Sequence, residues 1–505
     1  MNHYIVVTEK NRINIESELL GINNDKRGSN IVFLDPHHGL LRNFTIKLYQ
    51  IRLYYTQCIN DNIFILLDQE NKEISYIIAQ IFMLMNIHVV YLNEKKNYTI
   101  NKIRQLLSND IKTNRLFHRS YSTECDSNYY SVFKHIFSIS SGLKKESDME
   151  SVIKKTLLSI TLQDLIVFDD FFPKLRLLNK RSLDSIVNDW AFNCNTYNKL
   201  QLLQLGIYIL SKNAQNTQQY ATALVLVSEA HYHQDNKFHN FYHAIDVLQA
   251  THYLFSTWDN LVTDKNIKMT LLISALLHDS AHTGSNNNLL LQNKNLIKEF
   301  GSEDSILETL HFKILTHIIK CMVNTTNYKK DELNLLENFN FDVSEELILA
   351  TDMKKHDAFL QKLKNYDLSN KESLFKYKMI IKAADISNVT RPLEASAQWG
   401  VRISQEFMTY NLLTTEKKND QLICDDVDKF GNKTYDKRTL GELTVKDCIN
   451  LEPGVCKSQI FFIEVFAKEF FTLLRDKFIN ENASLKQLVV NLDDNYSFWE
   501  KRASE

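Results

Sequence analysis

The sequence predicts a mainly helical protein, with a small α/β segment at the front and a long helical region behind it. Three observations carry this. Only four prolines and eleven glycines occur in 505 residues, and because both interrupt helices, long helices are favoured over a turn-dense β architecture. The first 110 residues alternate short β-branched runs with helical patterns, whereas the later sequence is helical in pattern to its end. The run 269–277 is almost wholly apolar, and 374–384 reads as a further helix of the core. A chain of this length exceeds the size at which one core usually stops growing, so two domains are expected.

In order along the chain, 5–7 and 31–34 read as strands, 40–55 as a helix and 63–67 as a strand. Then 74–85 reads as a helix, 88–92 as a strand and 100–107 as a helix. Residues 74–93 carry no Asp, Glu, Lys or Arg, but Gln80, Asn86 and His88 interrupt them, so a helix and a strand are expected there and not a membrane span. The pattern lapses at 116–126, which marks a linker. The expected division is a small α/β domain at 1–110, a linker with connecting helices at 111–164, and a helical domain at 165–505. Polar surface loops are expected at 324–331 and 415–437.

The formal charge of −2 and pI near 6.8 give no basic field, so neither nucleic acid nor an anionic membrane is an expected partner. Seven cysteines without a C-x-x-C pair argue against a disulfide framework or a structural zinc module and fit a reducing cytoplasm. The first residues have no basic lead and too short an apolar run for a secretory signal. The expected protein is cytoplasmic, without a transmembrane segment, and a homodimer is left open.

His239, His243 and Asp246 are four and three apart, a spacing that points all three to one side of a helix or the turn before it. Alone, that spacing suits a solvated surface pair as well as a metal site. The apolar run 269–277 leads directly into His278-Asp279-Ser280-Ala281-His282, and burying an imidazole and a carboxylate there is costly unless a cation pairs them. A carboxylate capping the next turn remains the alternative. Asp385 follows the helix 374–384, and Asp352 sits where a cap or a partner for a histidine could equally be needed. Nitrogen and oxygen donors without thiolate suit zinc, magnesium or manganese. One carboxylate shared by two such ions is the arrangement of phosphoester hydrolysis.

The strings His239-Asn240-x-x-His243-Ala244-x-Asp246-Val247, His278-Asp279-x-x-His282-x-Gly284, Leu349-Ala350-Thr351-Asp352-Met353, Ala384-Asp385-Ile386-Ser387-Asn388 and Lys457-Ser458-Gln459-Ile460-Phe461-Phe462-Ile463 resemble the class I 3′,5′-cyclic nucleotide phosphodiesterases, over about residues 165–500. Arg391-Pro392-Leu393, Arg402-Ile403-Ser404-Gln405-Glu406-Phe407 and the closing Leu492 to Trp499 look most like the type-eight, cyclic-AMP-specific branch. The segment 30–107 resembles the second half of the receiver-like domain of those enzymes, with a shortened front and no room for the PAS domain that follows in them. The implied fold is an all-helical HD-type phosphodiesterase catalytic domain preceded by a small α/β receiver-like domain. Asp35, at the end of a receiver-like strand, is not expected to accept a phosphoryl group, because the shortened front lacks an acidic pair beside it.

The resemblance implies hydrolysis of a cyclic nucleotide, cyclic AMP over cyclic GMP, to the 5′-monophosphate by a hydroxide activated by two divalent cations, ending a cyclic nucleotide signal. His243, His278, Asp279 and Asp385 would hold a zinc-like ion, with Asp279 also reaching a magnesium-like one. His239 would protonate the departing 3′ oxygen, and His282 and Glu308 would orient water. Gln459 would hydrogen-bond the purine, Asn388 would add a polar contact, and Ile403 with Phe462 would clamp the ring. The pattern is departed from at Phe238, where tyrosine is usual, at Ala281, where aspartate is usual, and at Thr283, where proline is common. Leu310 stands for a histidine, and Phe461 occupies a position that is usually small. Other HD-domain phosphohydrolases share the His, His-Asp, Asp logic but lack the strings around Asp385 and Gln459. A cyclic-nucleotide-binding pseudoenzyme is the non-enzymatic alternative, and the intact ligand set argues against it.

Overall fold

A computed structural model of the chain describes residues 2–8, 29–54, 62–92 apart from 83 and 86, 101–106 apart from 104, 156–166, 175–213, 218–258, 264–300, 304–324, 336–367 apart from 337, 373–414 and 440–504, together with 15, 16, 19 and 150. The aperiodic stretch at 116–126 and the polar loops at 325–331 and 415–437 lie outside the described residues. Two compact units are present. One holds the described residues up to 175 and 222–231, and the other holds 176–221 and the described residues from 232 onward.

In the first unit, strands β1 (Asn2–Val7), β2 (Ser29–Leu34), β3 (Asn62–Leu67) and β4 (Ile87–Tyr91) form a parallel sheet in the order β2-β1-β3-β4. Ile5 sits opposite Val32 on one side and Ile65 on the other. A parallel sheet is covered on both faces, which is why these strands are near-continuous apolar runs. Tyr4, Val6, Phe64, Leu66 and Val90 build one cluster, and the intervening Ile5 and Ile65 are equally buried. Helices α1 (Leu40–Tyr54) and α2 (Lys72–Gln80) belong to the same unit. The second stops at Gln80, short of the expected 85, because the amides of Ile81 and Phe82 both turn back to the Ile77 carbonyl and close the helix. Asp35 ends the edge strand β2 and accepts from the His37 amide, whereas Asp68 ends the central β3 and accepts from the Thr8 hydroxyl at 2.6 Å. Within this unit Arg52 donates to the Glu229 carboxylate and carbonyl, each at 2.7 Å, in a site closed to water.

The second unit is helical. Its longer helices include α3 (Lys199–Asn213), α4 (Phe241–Ser256), α5 (Lys265–Leu277), α6 (Ile306–Asn324), α7 (Phe341–Leu349), α8 (Ser373–Asp385), α9 (Leu393–Thr414), α10 (Val455–Phe462), α11 (Lys468–Phe478) and α12 (Leu485–Ser504). Asn240 and Asp264 cap α4 and α5 through their side chains. Helix α4 packs against α5 and α8, and a core from Trp190 through Leu271 and Ile380 to Trp499 runs beneath them. Because α4 and α5 are apolar nearly all round, they lie inside the unit, and any polar side chain they carry is delivered to the interior. Among the described residues no helix is long and apolar enough to cross a membrane.

Asp246 does not join the histidines that its spacing suggested. It turns to Arg391, whose guanidinium donates to the Asp246 carboxylate at 3.1 Å, to Gln249 at 2.8 Å and to the Trp190 carbonyl at 3.0 Å. Both charges are buried, and removing one partner of such a pair strands the other. Arg391→Met is therefore expected to lower unfolding stability by about 3–5 kcal/mol in urea titrations, and Arg391→Met with Asp246→Leu to recover most of the loss. Equal destabilisation of the single and double variants would show that the guanidinium acts by packing alone.

Candidate active site

Three helix ends converge. Helix α4 begins at Phe241, so His243 sits in its first turn and points inward; α5 ends at Leu277 and hands His278 and Asp279 to the turn beyond it; α8 ends on Asp385. One ligand atom from each of these four residues lies within 4.8 Å of the others. The Asp385 carboxylate lies 3.1 Å from His243 Nε2 and 3.3 Å from His278 Nε2, and the Asp279 carboxylate lies 3.5 and 3.1 Å from the same nitrogens. His278 Nδ1 faces the Ala275 carbonyl at 2.9 Å, which fixes Nε2 as the nitrogen turned toward the carboxylates. Burial works against ionisation of Asp385, but hydrogen bonds to His243 and His278 outweigh it and pull the carboxyl well below its usual range. Two ionised carboxylates and two imidazoles, gathered where little water reaches, form a donor set that a divalent cation fits.

A second group stands beside the first. Ligand atoms of His239, His282 and Glu406 also lie within 4.8 Å of one another, and the two imidazoles stack at 3.8 Å. His239 precedes the helix and is held by Glu406 of α9. One carboxylate oxygen accepts from the backbone amides of Phe238 and His239 at 2.8 and 3.1 Å, and the other is hydrogen-bonded to His239 Nδ1. Burial alone would lower the His239 pKa, but the Glu406 charge and hydrogen bond raise it to about 9. Burial likewise opposes the Glu406 charge, and His239 overcomes it, drawing that carboxyl down to about 2. The result is an ion pair in which the His239 ring keeps 22% of its surface open. Asn236 donates to the backbone carbonyls of both His239 and His282, at 3.0 and 2.6 Å, and so ties the two histidine segments together. Burial and the neighbouring His239 charge push the His282 pKa well down, so this ring is neutral beside a charged one.

The turn between Asp279 and His282 is completed by Ala281 at φ 58°, a left-handed conformation that an aspartate or asparagine adopts more readily than alanine. This accounts for the residue type expected there, and the alanine leaves the ligand set intact. Glu308, in the first turn of α6, accepts from Asn287 at 2.9 Å; burial and the Asp352 charge raise its pKa to about 7. Asp352 is a cap. It accepts from the Lys354 amide at 2.9 Å and from the Ser305 hydroxyl at 2.5 Å.

Two residues that the sequence reading gave no role belong to the site. One is Glu406, and the other is His311, whose Nε2 lies 3.6 Å from the Asp279 carboxylate while Nδ1 faces the Ser280 carbonyl at 2.7 Å. Both occupy positions where helical periodicity asks for a core residue: Glu406 is seven residues beyond the buried Trp399, and His311 lies between buried Leu307 and Leu315. Of the base-contact set, Gln459 is buried on α10 against α9, Asn388 is buried in the turn after α8, and Ile403 and Phe462 are half-buried on α9 and α10. Phe461 is 59% exposed, so its bulk goes to solvent and not into the space beside Gln459.

Comparison with known proteins agrees with this geometry. Residues 238–489 match the family described as 3′5′-cyclic nucleotide phosphodiesterase. The chain is 32% identical over 332 residues to 3′,5′-cyclic-nucleotide phosphodiesterase 2 of Saccharomyces cerevisiae, covering 63% of this chain and 60% of that one. It is 28% identical to the mouse high affinity cAMP-specific and IBMX-insensitive 3′,5′-cyclic phosphodiesterase 8A, covering 54% of this chain and 32% of that one. Its fold is that of yeast caPDE2, seen in a crystal structure with IBMX, at a TM-score of 0.69 and 19% identity with both chains covered in full. The chain thus spans about 60% of the length of the yeast relative and a third of the mouse one.

Proposed function

Residues 238–489 belong to the class I 3′,5′-cyclic nucleotide phosphodiesterase family, and from that premise we propose that this chain hydrolyses a cyclic nucleotide, cyclic AMP before cyclic GMP, to the 5′-monophosphate. The observation that carries the reading is the separation of labour in the site. His243, His278, Asp279 and Asp385 converge as a cation-binding set, while His239 is held apart, charged and partly open, by Glu406. Zinc and magnesium, held by the four with Asp279 shared, would supply a nucleophilic hydroxide at neutral pH and offset the charge of the phosphate.

The chain's own groups do the rest. His239, charged at neutral pH, is placed to give its proton to the departing 3′ oxygen, and Glu406 keeps that proton in place and the ring oriented. His282, Glu308 and His311 are polar groups at the rim of the carboxylate cluster and orient water there. Gln459, Asn388, Ile403 and Phe462 are the proposed base contacts. Preference for cyclic AMP is supported by the names of the type-eight relatives, since a carboxamide alone can face adenine or guanine. The proposal places the catalytic domain at 165–505, a receiver-like sheet before it, and the protein in the cytoplasm, where buried cysteines outside any disulfide, Cys194, Cys321, Cys448 and Cys456, fit.

The direct test is hydrolysis of cyclic AMP and cyclic GMP side by side by the purified chain with added Mg²⁺. Turnover of neither would sink the reading, and faster turnover of cyclic GMP would sink its substrate preference. A pH profile follows from the ion pair. A proton donor whose pKa is raised to about 9 keeps its proton through neutrality and loses it as the pH rises through that value. The basic limb of kcat/KM is therefore expected near pH 9, and Glu406→Gln is expected to bring it down toward the ordinary imidazole range. An unmoved limb in that variant would assign it to some other group.

A further inference from the structure

We infer that Gly400 is a positioning residue for the purine contact, acting through the side chain it lacks: it leaves the room in which the Gln459 carboxamide lies. This rests on the reading of the site as a cyclic nucleotide hydrolase and extends it to how the base contact is set.

Gly400 lies inside α9, where glycine is less favourable than alanine, and its helical backbone does not require it. Space does. A methyl group built at Gly400 would lie 2.9 Å from both Cδ and Nε2 of Gln459 and 2.8 Å from Cγ2 of Val455, closer than carbon contacts allow. Gln459 and Val455 are four apart on α10, so they share the face turned to α9. One turn before Gly400, the Ser396 hydroxyl points at Gln459 Oε1 at 3.5 Å; one turn after it, Ser404 and Ser458 hydroxyls meet at 2.9 Å. The carboxamide thus lies across the bare α-carbon of Gly400, buried to 2% exposure, with its oxygen toward Ser396. A carboxamide donates from one end and accepts at the other, so where it lies decides which edge of a purine it can meet. The atoms a side chain at 400 meets first are those of Gln459 and Val455 on α10, whereas the cation-binding residues come from α4, α8 and the turn after α5.

The test is Gly400→Ala, assayed with cyclic AMP and with bis(4-nitrophenyl) phosphate, a diester with no purine. KM for cyclic AMP is expected to rise about ten-fold, the loss of roughly one hydrogen bond, with kcat within about two-fold and turnover of the purine-free diester unchanged. Because the methyl also meets Val455, thermal unfolding of the variant is measured, and Gly400→Ala with Val455→Ala serves as the second variant: it relieves that overlap and leaves only the one with Gln459. A KM rise that persists in the double variant supports the inference. An unchanged KM in either folded variant overturns it, as does an equal fall on both substrates, which would mean a packing role. Failure of the wild-type chain to turn over either cyclic nucleotide while cleaving the purine-free diester overturns the substrate reading itself, and the assignment of Gly400 with it.

Discussion

Asp385→Ala is expected to lose hydrolysis of cyclic nucleotide by more than about 10³-fold, and to lose bound divalent metal with it. The carboxylate stands between two imidazole nitrogens, 3.1 Å from His243 and 3.3 Å from His278, and hydrogen bonds from both hold it ionised despite its burial. Its removal leaves those nitrogens facing Asp279 alone and takes one negative charge from a site that has two. Metal content by elemental analysis and turnover of cyclic AMP are the two readouts. Asp352→Asn is the control, because that carboxylate caps a turn and is hydrogen-bonded to Ser305 and the Lys354 amide. It should cost stability while the metal stays bound. Full metal content with unchanged turnover in Asp385→Ala would overturn the assignment of the cluster.

What the sequence made legible follows from cost. A histidine and an aspartate at the end of an apolar helix, and a second aspartate at the end of another, are expensive to bury, so their presence announced a pairing agent before any geometry was known. The four-stranded sheet was legible for a related reason, since strands buried on both faces read as unbroken apolar runs. Spacing within one helix was a weaker guide. His243 and Asp246 are three apart, yet the aspartate answers to Arg391, 145 residues away. Glu406 was hidden for the same reason, because it meets His239 across 167 residues and no local pattern marks such a contact. Only a carboxylate in a core position of its helix hinted at it, and the same signal stood at His311.

His239 lies four residues from His243, yet its environment differs in the one respect that separates a proton donor from a ligand. His243 faces two carboxylates shared with His278, whereas His239 has its own carboxylate, Glu406, bound to its Nδ1 and to its backbone amide. That partner raises the His239 pKa to about 9, so the ring holds at neutrality a proton it can give away, and the carboxylate that binds it belongs to a group separate from the four-residue cluster. His239→Ala is therefore expected to keep its metals. It should lose cyclic AMP turnover by about 10²–10⁴-fold, because a 3′ alkoxide expelled without a proton is a poor leaving group. A diester with an acidic phenol as leaving group scarcely needs that proton, and its turnover should fall much less. Glu406→Gln should lie between wild type and His239→Ala on cyclic AMP, since it leaves the ring in place but takes away the charge that holds its proton. Loss of metal from His239→Ala, or an equal fall on both substrates, would mean that the imidazole is a ligand or a packing residue and that the division between the two histidines is wrong.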